Sequence, residues 1–335
     1  MRVMVNGVGN IGTTLLQVLS AHRDTLGITE VYARKNTVRP WDVAGLELLK
    51  NLDVTVVADD YPGQVRFEEV ADRVGYVFDT TAAGGARRNR PTYDAMPALV
   101  GASGQGTETG FGTPYALGLG VDVSRDRYVH VVSCSTHAAL CVLRTISGGR
   151  LDDVVSADFV NVRRSEDIGN HERLVGGNVL ARHLDPVLGT HHAIDADSVL
   201  RVLGRAVPMQ SSDITTPSQF LHSTRFSIRL TDAIGEEEVR ARVDSAPYVA
   251  TTTMFDSNKV FETGRRFGFA GRLYAQAIFV PGNLLVKGDT VSGWAFVPQE
   301  GNTVLSTVSA FLQSTHPEPR VAIDALTERL MIRSL

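Results

Sequence analysis

The sequence predicts an α/β protein: an N-terminal doubly wound parallel sheet of the Rossmann type, then an α+β catalytic domain with a mostly antiparallel sheet. Three observations carry this. An apolar strand, Arg2–Asn6, runs into Gly7-Val8-Gly9-Asn10-Ile11-Gly12 and then into a helix-spaced segment. Short apolar runs then alternate with helical or turn segments as far as Ser133, as in a parallel sheet. From about Val154 the runs lengthen and few helices intervene, which suits antiparallel pairing. The 335 residues suffice for two domains. We place a dinucleotide-binding domain at 1–135 and a catalytic and oligomerisation domain at 136–301. A C-terminal helix within 302–335 is expected to pack back on the first.

In the first domain, residues 13–20 (TTLLQVLS) put Leu15, Leu16 and Leu19 on one helical face. The glycines of the G-x-G-x-x-G divide three roles: making the tight turn, leaving room for a pyrophosphate, and letting helix and strand pack closely. The phosphates would sit on the helix N-terminus, at Asn10 and Ile11. The next strand, 28–33, ends in Arg34-Lys35-Asn36 with no acid to hold a ribose hydroxyl. Arg34 and Lys35 suit a 2′-phosphate, so NADP is expected to be accepted alongside or ahead of NAD. Further strands are expected at 54–57, 74–78, 98–101 and 128–133, with Ser103-Gly104-Gln105-Gly106 following a strand end. Strand ends of such a sheet form the ligand crevice.

In the second domain strands are expected at 154–162, 199–206, 225–230, 275–280 and Thr290–Val297, with helices at Glu236–Ser245 and 320–332. A net charge of −4 gives no reason to expect nucleic acid or an anionic membrane as partner. No apolar run reaches the ~18 residues of a membrane span. Two cysteines, Cys134 and Cys141, argue against a disulfide scaffold and for a reducing cytoplasm.

Cys134 is the candidate nucleophile. It follows the apolar run 128–133 and precedes the helix-like Ser135-Thr136-His137-Ala138-Ala139-Leu140. A strand feeding a helix puts the thiol at unsatisfied N–H groups and the positive dipole end, which favours the reactive thiolate. Four clusters could serve it. Arg163-Arg164 closes a strand and suits bidentate phosphate binding. His191-His192 is expected in a loop, where neighbours on extended backbone point apart; no metal is expected. His222 opens a strand, and Gln299-Glu300 follows one.

These residues match a family. In Val5 to Gly12, Val131-Val132-Ser133-Cys134-Ser135-Thr136, Val162-Arg163-Arg164, Asp185-Pro186 with His191-His192, Leu221-His222 and Pro298-Gln299-Glu300, the chain resembles the archaeal-type (type II) phosphorylating glyceraldehyde-3-phosphate dehydrogenases. The resemblance implies that Asn10, Ile11, Gly104, Arg163 or Arg164, and Gln299 touch the dinucleotide. It implies that Ser133, Ser135, His191 and His192 hold the phosphorylated aldehyde, with Thr136 and Arg164 as further anion donors. Cys134 would be the nucleophile and His222 the base. A thiohemiacetal, then a thioester, would form on Cys134, and inorganic phosphate would release an acyl phosphate. The resemblance also implies a homo-oligomer, a tetramer. The chain departs from the family pattern at Val8, Ser135, Thr224 and Pro298. Three alternatives therefore stand: another phosphate- or phosphonate-bearing aldehyde, an aspartate-semialdehyde-like reductase, and a dinucleotide-binding regulator without catalysis.

Overall fold

The computed structural model describes residues 1–165, 176–217 and 220–335, and the chain divides into two compact units. The first comprises 1–115, 122–131 and 304–328. Its elements are β1 (Arg2–Asn6), α1 (Asn10–Ala21), α2 (Arg23–Leu26), β2 (Glu30–Arg34), α3 (Val43–Lys50), β3 (Thr55–Val57), β4 (Tyr76–Asp79), α4 (Gly85–Asp94), β5 (Gly101–Gln105), β6 (Thr113–Tyr115) and β7 (Tyr128–Val131). All seven strands are parallel, in the order β3-β2-β1-β4-β5-β7-β6. The order reverses between β1 and β4, where a doubly wound sheet opens its crevice.

One strand differs from the sequence reading. The segment 98–101 is mostly turn, and β5 lies three residues later, as Gly-Ala-Ser-Gly-Gln. Its poor β-propensity misled the pattern. Burial decides instead: all five residues are buried, and a Cβ on Gly101 would come 2.9 Å from the Tyr76 ring. Only small residues fit there.

The second unit comprises 116–121, 132–303 and 329–335. It contains α5 (Cys134–Ile146), β8 (Val154–Arg164), β9 (Val179–Leu180), α6 (His191–Val202), β10 (Met209–Thr216), β11 (His222–Leu230), α7 (Glu236–Ser245), β12 (Val249–Thr251), α8 (Ser257–Phe267), β13 (Ala277–Phe279), β14 (Leu285–Lys287) and β15 (Thr290–Val297). The sheet order is β12-β13-β15-β11-β8-β10-β9, with β14 on β15. Pairing is antiparallel except at β8–β10 and β12–β13. The central β11 alternates: His222, Thr224, Phe226, Ile228 and Leu230 are buried, and the residues between are more open. Helix α5, almost wholly buried, packs on this sheet beside α6.

The division falls between Val131 and Val132, not after residue 135. Val131 is the last residue of β7 paired in the first sheet, and α5 packs with the second. The strand expected at 199–206 is the end of α6 instead. Ala193, Ala196, Val199 and Leu200 form a buried helical face, and that burial outweighs the β-branched residues. The chain then returns to the first unit as α9 (Val304–Thr315) and α10 (Pro319–Leu330). Phe311 of α9, a helix the sequence reading did not separate, packs its ring 5.0 Å from Tyr76 and 5.5 Å from Phe78. No helix among the described residues is long and apolar enough to cross a membrane.

Candidate active site

In the first unit the glycine loop divides its labour as the pattern requires. Gly7 sits at φ +105°, where a side chain would be strained, and its Cβ would lie 2.9 Å from the Thr80 backbone. A Cβ on Gly12 would fall 2.0 Å from the Gly7 carbonyl oxygen, so Gly12 sets the helix–strand packing. Gly9 has nothing within 4 Å of its Cβ position. It precedes α1 with no side-chain cap, leaving the first-turn N–H groups of Asn10 and Ile11 uncovered by a capping side chain. That open, donor-rich cradle fits a pyrophosphate. Gly9→Ala is therefore expected to fold normally, since φ is an ordinary −95°, yet to weaken dinucleotide binding about tenfold or more. Fluorescence titration beside a thermal melt checks this.

At the end of β2, the Arg34 guanidinium lies 3.7 Å over the Phe67 ring and 4.0 Å from Asp59. Lys35 Nζ is 3.1 Å from Asp42. Gly104 lies inside β5, where a Cβ would meet Ala86 at 2.8 Å and Phe111 at 3.0 Å. Packing alone accounts for that glycine, and it does not stand in a loop.

In the second unit Cys134 is the first residue of the 13-residue helix α5, as the sequence implied. Ser133 precedes it with extended backbone, but its hydroxyl makes no cap bond to the helix. Ser133 Oγ is instead 2.9 Å from Thr136 Oγ1 and 3.1 Å from His192 Nδ1. Thr136 also donates to the His192 carbonyl. The Cys134 carbonyl accepts from Asn302 Nδ2 at 2.9 Å. The two thiols differ sharply: Cys134 is half-buried, whereas burial pushes the Cys141 thiol up to about 12, where it is inert. The Ser135 hydroxyl is buried without a hydrogen-bond partner. His137 is fully buried, with Nδ1 3.1 Å from the Ser133 carbonyl, and is structural.

His191 and His192 are not in a loop. They open α6, with ring centroids 3.8 Å apart. Helical backbone, not extended backbone, brings them to one place. His192 Nε2 is 3.2 Å from Asp213 Oδ2, a close electrostatic contact rather than an aligned hydrogen bond. Asp213 Oδ1 accepts from Asn161 Nδ2 at 2.8 Å and from Thr190 Oγ1 at 3.2 Å. Burial works to raise the Asp213 carboxyl, but His192, Asn161 and Arg163 overcome it and hold it at about 2. Burial, His192 and Arg163 push His191 down to about 4. Burial also lowers His192, against the pull of Asp213. The donor atoms of these three residues lie within 4.8 Å of one another. Arg163 Nη1, 3.9 Å from Asp213 Oδ2, competes with any cation for that carboxylate.

The two arginines do not form a shared phosphate site. They alternate on β8. Arg164 buries its guanidinium, giving Nη2 to Glu300 Oε1 at 3.0 Å and Nη1 to the Phe220 carbonyl at 3.2 Å. Arg163 stays about one-third exposed and open to an anion. Gln299 is buried with both ends of its amide on backbone: Oε1 accepts from His222 N, and Nε2 donates to the Phe220 carbonyl. It closes strand ends, and its amide does not face outward. The His222 ring is buried, and its Nδ1 accepts the Arg164 backbone N–H at 3.0 Å. Burial, Arg163, Arg164 and His192 hold this imidazole well below its usual range, so it is neutral at pH 7.

No protein-family model matches the chain. Among curated proteins it is similar to the glyceraldehyde-3-phosphate dehydrogenase of Hyperthermus butylicus, with 25% identity across 92% of this chain and 90% of the relative. It is 24% identical to that of Aeropyrum pernix, over 92% and 90% of the two chains. With that of Metallosphaera sedula the figures are 21%, 92% and 91%. This chain is a divergent relative of the archaeal glyceraldehyde-3-phosphate dehydrogenases.

The similarity to these dehydrogenases spans both units, well beyond the glycine fingerprint. Two residues that build the second unit's site escaped the sequence reading. Asp213 belongs to the buried face Met209-Ser211-Asp213 of β10, and a lone carboxylate on an inward face is a signal the period-two pattern could have supplied. Asn302 carries no such signal: it reaches Cys134 from 168 residues away.

Proposed function

We propose that this chain oxidises a phosphorylated aldehyde, glyceraldehyde 3-phosphate, with NADP or NAD, and releases an acyl phosphate. The observation that carries the reading is Cys134 at the head of α5, joined through Ser133 to the His192–Asp213 pair. The relatives named glyceraldehyde-3-phosphate dehydrogenase support the substrate. The helix N-terminus favours the thiolate, which attacks the aldehyde carbon to form a thiohemiacetal. A nicotinamide, when bound, supplies the hydride acceptor that turns this adduct into a thioester. Backbone N–H groups at the start of α5 and the buried Ser135 hydroxyl are available to the oxyanion. Arg163 and His191, both partly open, supply donors for phosphate. Arg164 and Gln299 support this arrangement from behind. Exposed apolar residues Val179, Leu180, Leu184 and Val187 support a homo-oligomer formed through the second unit, which light scattering tests.

The decisive assay mixes glyceraldehyde 3-phosphate with NADP or NAD, with and without inorganic phosphate. Phosphate-dependent reduction of the dinucleotide is expected, with the lower KM for NADP because Arg34 and Lys35 close β2. Reduction that proceeds equally without phosphate would make water the acyl acceptor. No reduction with any phosphorylated aldehyde would end the proposal.

A further inference from the structure

The sequence assigns the base to His222, and the hydrogen bonding around it forbids that role. A backbone N–H can only donate, so the Arg164 N–H at 3.0 Å makes Nδ1 the acceptor of the His222 ring. The proton of the neutral imidazole is then on Nε2. Its one lone pair is already engaged with Arg164. To take a second proton, the ring would have to turn an N–H against another N–H. Its charged surroundings agree. Arg163 and Arg164 from β8 and His192 from α6 oppose an imidazolium, and Asp213 of β10 alone favours it.

His192 has the opposite arrangement. The Asp213 carboxylate, 3.2 Å from Nε2, favours the proton on that nitrogen. The lone pair on Nδ1 then faces Ser133 Oγ at 3.1 Å. The groups around His192 are Asp213, Arg163, His191, His222, Ser133 and Thr136, and Asp213 is the only anion among them. Ser133 immediately precedes Cys134. Its hydroxyl, the side chain expected to cap α5, is spent on His192 and Thr136.

We propose that His192, positioned by Asp213, takes the Cys134 proton through the Ser133 hydroxyl, and that His222 is a hydrogen-bond donor to the oxyanion rather than the base. The Cys134 S–H proton passes to Ser133 Oγ as the Ser133 proton passes to His192 Nδ1. This leaves a thiolate, a neutral serine, and an imidazolium beside the Asp213 carboxylate. When the sulfur forms its bond to the aldehyde carbon, the carbonyl π pair moves to oxygen. The resulting alkoxide receives the His222 Nε2–H. The donor half rests on the proposed function; the proton path belongs to the resting protein.

Alkylation of Cys134 by iodoacetamide tests the proton path without substrate or cofactor, read by peptide mass spectrometry between pH 6 and 10, with Cys141 as the buried control. His192→Gln and Ser133→Ala are each expected to slow alkylation at pH 7 about tenfold, one unit of thiol ionisation. The difference should close near pH 10. His222→Gln should stay within about threefold of the parent, because a donor to the oxyanion does not ionise the thiol. Ser133→Ala removes one small hydroxyl and keeps the test alive if His192→Gln misfolds. If His222→Gln slows alkylation as much as His192→Gln, or if neither His192→Gln nor Ser133→Ala slows it, the proton path is wrong. Turnover tests the donor half: His222→Gln, which keeps an N–H near Nε2, should retain at least about tenfold more activity than His222→Ala. Equal losses overturn it. The expected alkylation pattern in a chain that reduces no dinucleotide would leave the proton path standing and remove only the proposed function.

Discussion

Cys134→Ser is expected to lower aldehyde oxidation by roughly 10⁴–10⁶, the scale seen when a nucleophile is removed, while dinucleotide binding stays unchanged. Serine is nearly isosteric and preserves the start of α5. The Asn302 side chain holds the backbone carbonyl of residue 134, not its side chain, so the local fold should survive. What disappears is ionisation. A helix N-terminus and a nearby imidazole can make a thiol an anion at neutral pH, but not an alcohol. The glycine loop that would bind the dinucleotide lies in the other unit, so its affinity is an internal control. Turnover within about tenfold of the parent would rule out a covalent step on this residue.

Glu300→Ala should produce the largest loss of stability. Glu300 Oε1 pairs with Arg164 Nη2 at 3.0 Å, and Oε2 lies 2.9 Å from Arg272 Nε. Arg164 and Glu300 are both almost wholly buried. Removing the carboxylate leaves one guanidinium buried and a second half-covered without an anion. Breaking such a pair costs about 3–5 kcal/mol, which for a unit of this size lowers Tm by roughly 6–20 °C. Glu300→Gln, which keeps an acceptor but not the charge, should lose less. The effect reaches the site, because the backbone N–H of Arg164 holds His222 Nδ1. A melt by circular dichroism gives the stability, and thiol alkylation shows whether the site survives. A Tm within about 2 °C of the parent would mean that solvent reaches these arginines.

How far the sequence reading reached depended on whether the information was local. The glycine loop was legible because each glycine answers a constraint within a few residues or at a neighbouring strand end. Cys134 was legible because an apolar run followed by a good helix former is a one-dimensional pattern. β5 was read three residues too early, since its residues are chosen by the Tyr76, Ala86 and Phe111 side chains packed on them. The segment 199–206 looked like a strand by residue type and is a helix by the burial of one face.

The sequence alone determined the two architectures, the dinucleotide loop and the nucleophile, because strand, turn and helix signals are short-range. Tertiary structure decided how the remaining side chains are used. Arg163 and Arg164 are neighbours in the chain, yet strand alternation sends one to Asp213 and the other to Glu300. His191 and His192 come together only because α6 begins at them. His222 and His192 are alike as letters. A backbone N–H at one ring and a carboxylate at the other give them opposite proton positions. A histidine's tautomer is set by its partners in space, and those partners lie 58 residues away in one case and 21 in the other.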